Sequence, residues 1–175
     1  MQQLRLSGTG GQGLILGGII LAEAALLDGK HAVQSQSYGP EARGGSSKSE
    51  VLISDTVIRY PKITKPDVVL AMSQEAAQKY TADLMKDGIL VTDSLFVQKL
   101  PEKTYKKVYE LPITQTAQEG LGKALFANII ALGAIVKITG VVSIESLTKA
   151  VLARVPKGTE EVNQKAIQLG IELVK

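Results

Sequence analysis

Cysteine is absent from the 175 residues, histidine occurs once, as His31, and aromatic residues make up only 4% of the chain. Without cysteine the chain has no disulfide, no thiolate nucleophile and no cysteine ligand for an iron–sulfur cluster. One histidine excludes a multi-histidine metal site, and His31, at the predicted start of a strand, offers no base for a serine triad. No catalytic residue and no metal ligand set can be assembled. Charge of one sign is also scarce. The net charge is +3 and lies in one segment, Lys30 to Lys65, where six basic residues face three acidic ones. That is a mild attraction for anions. Without a basic stripe or interleaved aromatics it is not a nucleic-acid-binding face. Long hydrophobic runs are lacking too. Leu14–Leu27 and Ala124–Val136 both fall short of the roughly 20 apolar residues a membrane span needs. The first grows out of a glycine turn rather than a basic leader, so no signal peptide and no membrane are expected, and the chain is placed in the cytoplasm.

What is present reads as one domain over residues 1–175, of ordinary globular composition, with 45% hydrophobic and 21% charged residues. Residues 3–7, 31–36, 48–54, 67–72, 88–93 and 108–112 read as strands. The run DVVLAM at 67–72 has the unbroken apolar character of a strand buried on both faces. Val57–Tyr60 is predicted to pair back on 48–54 as a hairpin. Helices are predicted over Leu14–Leu27, over Gln74 to Met85, over Leu121–Thr139, from Ser143 to Val155, and after Thr159. The helix over Leu121–Thr139 is apolar almost all round and therefore belongs in a core or a subunit interface. Alternating strands and helices predict an α/β, Rossmann-like three-layer fold with a mainly parallel sheet, an antiparallel hairpin and a helical C-terminal third.

Two glycine-bearing elements carry the chemical information. Gly8-Thr9-Gly10-Gly11-Gln12-Gly13 joins the first strand to the first helix. There, glycines allow close backbone approach and the helix N-terminus offers unpaired N–H groups to an anion. Gly8, Gly10 and Gly13 match the dinucleotide fingerprint, but the strand that should end in a ribose-binding carboxylate reads Gln34-Ser35-Gln36-Ser37. Gln12 either presents its amide to whatever lies over the loop or caps local backbone groups. Gly17 and Gly18 inside the helix each cost about 1 kcal/mol against alanine, which close packing on the sheet or on another subunit would offset. The second element is Tyr38-Gly39-Pro40-Glu41-Ala42-Arg43-Gly44-Gly45. Its Arg43 can bind a phosphate or carboxylate through two parallel hydrogen bonds, with Glu41 as the natural internal partner. The alternative is an exposed hairpin carrying an incidental ion pair. Asp93 is a candidate only by its position at a strand end.

These two elements, the second led by Gln34-Ser35-Gln36-Ser37, followed by Lys65-Pro66-Asp67, Asn128-Ile129-Ile130-Ala131-Leu132-Gly133 and the late Val162-Asn163, Ala166-Ile167 and Gly170, make the chain resemble the gamma subunit of 2-oxoacid:ferredoxin oxidoreductases. The wording of the second element is closer to the 2-oxoglutarate type than to the pyruvate type. The resemblance implies a multi-subunit enzyme that oxidatively decarboxylates a 2-oxoacid with coenzyme A to acyl-CoA, carbon dioxide and reduced ferredoxin. Thiamine diphosphate would be held by alpha and beta subunits and iron–sulfur clusters by beta or delta subunits, with no cofactor bound tightly here. It implies coenzyme A near Gly8, Gly10, Gly11, Gln12, Gly13, Tyr38, Gly39, Glu41, Arg43, Gly44 and Gly45. Two other readings stand beside it: a free-standing oxidoreductase binding NAD or flavin, and a scaffold domain whose glycines serve packing alone. A homodimer of the isolated chain is left open.

Overall fold

The computed structural model describes residues 1–37, 45–102 and 105–175. Among these residues six strands form one sheet: β1 (Gln2–Thr9), β2 (His31–Gln36), β3 (Ser46–Ser54), β4 (Val68–Ala71), β5 (Ile89–Asp93) and β6 (Lys107–Leu111). Their order is β2-β3-β1-β4-β5-β6. β1, β4, β5 and β6 run parallel, whereas β3 pairs antiparallel with both β1 and β2. The predicted mainly parallel sheet with an antiparallel hairpin is present, but the hairpin is β2–β3. Val57–Tyr60 forms no strand, and Val57 and Tyr60 are exposed. The reason is that β3 has no free edge: β1 occupies one side and β2 the other.

One face of the sheet carries a thick helical layer built from α1 (Leu14–Leu27), α3 (Ile113–Leu121), α4 (Ala127–Thr139), α5 (Ile144–Arg154) and α6 (Glu160–Glu172). Period-two alternation sends Leu4, Leu6, Val51, Ile53, Val68 and Leu70 into that layer. The opposite face is thinly covered by α2 (Gln74–Lys79), against which Ala71, Ala76, Ala77 and Tyr80 pack. β4 is buried at all four positions, as its apolar run predicts.

Two predicted helices are shorter than the sequence suggests. α2 stops at Lys79 rather than Met85, because the chain turns there to serve Arg5. The Tyr80 carbonyl and both Asp83 oxygens accept hydrogen bonds from its guanidinium. The run Leu121–Thr139 is broken at Gly122, whose φ of 75° ends α3, and a 3-10 turn at Ala124–Phe126 precedes α4. α4 is buried within this chain from Ala127 to Val136, so its apolar surface belongs to the core and not to a subunit interface. Gly18 of α1 sits directly on β3, where an added Cβ would lie 2.0 Å from Ser49 Oγ. Packing on the sheet therefore accounts for that glycine. No helix among the described residues is long and apolar enough to cross a membrane.

Asp28, at the end of α1, clamps the start of α5. Its carboxylate accepts hydrogen bonds from Ser143 N, Ser143 Oγ and Ser146 Oγ at 2.6–2.7 Å. Partial burial alone would raise its pKa, but these bonds and nearby Lys30 hold it below the ordinary value of 3.8. A lowered folded value means the carboxylate's contribution is complete above the ordinary value and is lost as pH falls through the folded one. Asp28→Ala is expected to lower stability by about 1–2 kcal/mol at neutral pH. The gap from wild type should narrow steadily below pH 3.8, which urea midpoints measured across pH would show.

Candidate functional site

The glycine loop leaves the sheet at its centre, where β1 ends between β3 and β4. Thr9 pairs with Ser46 as the last rung of the β1–β3 ladder, and Gly10 N donates to Gly45 O at 3.1 Å. The two glycine elements that the sequence separates by more than twenty residues thus meet at Gly10 and Gly45. Tyr38, Gly39, Glu41, Arg43 and Gly44 lie outside the described residues.

Gln12 turns its amide under the loop instead of out of it. Its Oε1 accepts from Thr9 N at 2.7 Å, and its Nε2 donates to Met72 O at 3.0 Å. Of the two roles open to it, backbone capping is the one observed, and it ties the loop to the end of β4. Gly8 makes this possible, since a Cβ there would lie 2.2 Å from Gln12 Oε1. Gly13 precedes α1 with φ 74° and ψ 22°, a left-handed conformation in which a side chain would be strained. Its carbonyl accepts from Asn128 Nδ2 at 3.2 Å. Asn128, 8% exposed at the start of apolar α4, is the loop's second anchor. A lone amide opening an apolar helix was the available signal for that role.

The loop is thus held from beneath by Gln12 and Asn128, while no described residue covers its upper side at Gly11. Gly11, with φ 93°, has no neighbour among the described residues within 4 Å of a would-be Cβ. Among the described residues no side chain caps α1, and no acidic residue lies in its first turn, an arrangement in which the leading N–H groups suit an anion. On one side of the loop a hollow of about 290 Å³ is lined by Gly10, Gly11, Gly13, Leu14, Ile15, Ser37 and Ser47. On the other side a hollow of about 230 Å³ is lined by Gly11, Gln12, Phe96, Thr114, Ala124, Leu125 and Ala127. Ser37 closes the run that leads into the second glycine element, whereas Ser47, Phe96 and Leu125 carry no motif and come to the loop only through folding.

Asp93 is no free carboxylate. It is fully buried and accepts from Thr114 N at 3.1 Å, Thr114 Oγ1 at 2.5 Å and Leu95 N at 3.1 Å, which joins β5 to α3. Among the described residues no group of His, Cys, Asp and Glu could hold a metal ion. The dinucleotide reading also fails on geometry. β3 lies between β1 and β2, so the strand after α1 is one position further from the glycine loop than in a dinucleotide fold, about 4.8 Å too far.

Residues 3–173 match the family model described as pyruvate ferredoxin/flavodoxin oxidoreductase. The chain is 50% identical to the 2-oxoglutarate synthase subunit KorC of Methanocaldococcus jannaschii, over 99% of this chain and 94% of that protein. It is 53% identical to the keto/oxoacid ferredoxin oxidoreductase gamma subunit of Geobacter sulfurreducens. That crystal structure superposes with a TM-score of 0.87 over 98% of this chain and 97% of the other. A 2-oxoglutarate:ferredoxin oxidoreductase from Magnetococcus marinus, a structure holding 2-oxoglutarate, coenzyme A and succinyl-CoA, shares the fold with a TM-score of 0.87. The match covers 98% of this chain but 30% of that one at 23% identity, and speaks for the fold alone.

Proposed function

From the premise that this chain belongs to the pyruvate ferredoxin/flavodoxin oxidoreductase family, as a gamma-type subunit of a multi-subunit 2-oxoacid:ferredoxin oxidoreductase, we propose that its enzyme acts on 2-oxoglutarate and that this chain forms one wall of the coenzyme A pocket. The enzyme decarboxylates the 2-oxoacid, passes two electrons to ferredoxin and transfers the remaining acyl group to coenzyme A. Thiamine diphosphate and iron–sulfur clusters belong to alpha, beta and delta chains. A chain without cysteine cannot ligate such a cluster through thiolates.

One observation carries the assignment of the wall: the glycine loop and the N-terminus of α1, which no described side chain caps, border the same hollow as Ser37, the last described residue before the Arg43 element. Coenzyme A carries a pyrophosphate and a 3′-phosphate, anions suited to exposed backbone N–H groups and to the fork of an arginine. The positive excess of the Lys30–Lys65 segment adds to that attraction. Gln12 and Asn128 support the reading from beneath, because they hold the loop in shape before any ligand arrives. The substrate rests on the KorC relatives, which match over the whole chain.

The test uses the assembled enzyme. Arg43→Ala is expected to raise the KM for coenzyme A about tenfold, equivalent to about 1.4 kcal/mol of binding, and to leave the KM for 2-oxoglutarate and the cluster content as in wild type. An unchanged KM for coenzyme A in an intact complex would remove Arg43 from the pocket. The substrate is checked separately by comparing kcat/KM for 2-oxoglutarate, pyruvate and 2-oxoisovalerate. A preference for pyruvate would overturn that half of the proposal.

A further inference from the structure

β3 opens on two serines that alternate between the two faces of the sheet. Ser47 lines the hollow of about 290 Å³ beside the glycine loop, with Leu14 and Ile15 of α1. Ser46, 1% exposed, meets α2 on the thin side. The hydroxyl of Tyr80, the residue that closes α2, donates to Ser46 O at 3.2 Å. Ser46 Oγ in turn donates to Oε1 of Glu75, in the first turn of α2, at 3.0 Å. Ser46 is also the partner of Thr9 in the last rung of the β1–β3 ladder, next to the Gly45 carbonyl that receives Gly10 N.

The other wall of that hollow is fastened to the same stretch of chain. Gln12 Nε2 donates to Met72 O, and the next residue, Ser73, caps α2 by accepting from Ala76 N at 3.2 Å. Residues 72–80 thus form a brace, with the glycine loop tied to one end and the start of β3 to the other. The Tyr80 end is well fixed. Its ring packs with Ala71, Ala76 and Ala77, and Lys79 Nζ and Lys48 Nζ stand 5.3 and 5.8 Å from the ring centroid. Its carbonyl accepts from Arg5. Phenylalanine would fill the same space, so packing does not call for the hydroxyl. The hydroxyl serves Ser46.

We propose that Tyr80 is a positioning residue for coenzyme A: through Ser46 it holds the start of β3 at the spacing from the glycine loop that the ligand fits, with Glu75 as its auxiliary. The inference rests on the function proposed above and adds residues that act on the coenzyme A wall from behind it. Neither Tyr80 nor Glu75 lines the hollows beside the loop, so both act through the strand. Backbone N–H groups cannot swing toward a ligand as side chains do, and a wall built from them binds well only when it is already in place. One brace holding both walls provides that.

The experiment measures steady-state kinetics of the assembled enzyme carrying Tyr80→Phe, Glu75→Ala or Glu75→Gln. Tyr80→Phe keeps the buried ring and removes the hydroxyl alone, so folding and assembly are retained. The KM for coenzyme A should rise about fivefold for Tyr80→Phe and about twofold for Glu75→Ala, with kcat and the KM for the 2-oxoacid unchanged. Glu75→Gln keeps an acceptor for Ser46 Oγ and should restore the wild-type KM. Asp28→Ala, which weakens the junction of α1 and α5 far from the loop, is the control for lost stability and should leave all three constants unchanged. An unchanged KM for coenzyme A in Tyr80→Phe overturns the inference, and the functional reading stands so long as Arg43→Ala still raises that KM. If Tyr80→Phe and Arg43→Ala are both silent, the functional reading falls and this inference with it. If Asp28→Ala raises the KM for coenzyme A as much as Tyr80→Phe does, or if kcat and both KM values shift together, Tyr80 serves the fold alone and the proposal is wrong.

Discussion

Gly170→Val is expected to destabilise the protein by about 3 kcal/mol or more, with Gly133→Val close behind. The two glycines are the closest approach of α4 and α6. A Cβ at Gly170 would stand 2.0 Å from Ile130 O and 2.9 Å from Ala134 N, and one at Gly133 would stand 2.4 Å from Ile167 O. In each case the obstacle is backbone inside a helix, which no rotamer change can move aside. The helices must separate, and every side chain packed across them loses contact at once: Ile130 and Ala134 on α4, Ala166 and Ile167 on α6, all buried. Overpacking a core commonly costs 1–3 kcal/mol, and more where rigid elements have to shift. Gly170→Ala should act in the same direction with a smaller effect. The double variant should cost less than the sum, since helices already parted accommodate the second side chain. Urea unfolding of the purified chain measures all four. A loss under 1 kcal/mol for Gly170→Val would mean that α4 and α6 do not cross at this distance.

Arg5→Ala carries the second large effect, about 3 kcal/mol. Arg5 points from β1 into the thin side of the sheet and is 5% exposed. Its Nε donates to Glu50 at 2.8 Å, its Nη1 to the Tyr80 carbonyl at 2.9 Å and to Asp83 at 2.5 Å, and its Nη2 to Asp83 at 2.9 Å. Removing the guanidinium strands a mostly buried Glu50, a half-exposed Asp83 and a buried carbonyl, and breaking one member of such a set typically costs 3–5 kcal/mol. Lys48, 3.0 Å from Glu50, places this case at the lower end. Burial by itself would raise the pKa of Asp83, but its hydrogen bonds and charge contact with Arg5 hold it below the ordinary 3.8. That part of the stability is therefore full above pH 3.8 and drains away below it. In Arg5→Ala the Asp83 carboxyl should titrate at a higher pH than in wild type, which carbon-detected NMR would follow. Arg5→Leu combined with Glu50→Leu should recover part of the loss, because it removes the stranded Glu50 charge while Asp83 and the Tyr80 carbonyl still lack Arg5. If Arg5→Ala matches wild type in both stability and Asp83 titration, the cluster has been given too large a role.

Much of this fold was legible in the residues because local signals agreed with the final arrangement. The boundaries of α1 come from a left-handed Gly13 before it and a left-handed Gly29 after it. The unbroken apolar run at β4 announced a strand covered on both faces. The predicted hairpin at Val57–Tyr60 failed because alternation and a turn signal say nothing about whether a strand edge is already occupied. α2 was overextended for a related reason. Its helical pattern continues, but Arg5, 75 residues away, takes the Tyr80 carbonyl. Gln12 shows the limit most directly: its identity and its loop were visible, while the direction of its amide depends on where Met72 lies.

By itself the sequence determined that this chain cannot ligate a cluster through cysteine, that its sheet is mainly parallel, and that two glycine elements mark its candidate site. These follow from residue type and from periods of a few residues, which short stretches of chain contain in full. Only the tertiary structure decided that the two elements meet at Gly10 and Gly45, that apolar α4 is core and not interface, and that Leu125, just ahead of that helix, is left exposed. Each of those facts compares positions tens of residues apart. Whether an apolar side chain finds cover or a glycine finds a neighbour is a property of the packed chain, not of the residue.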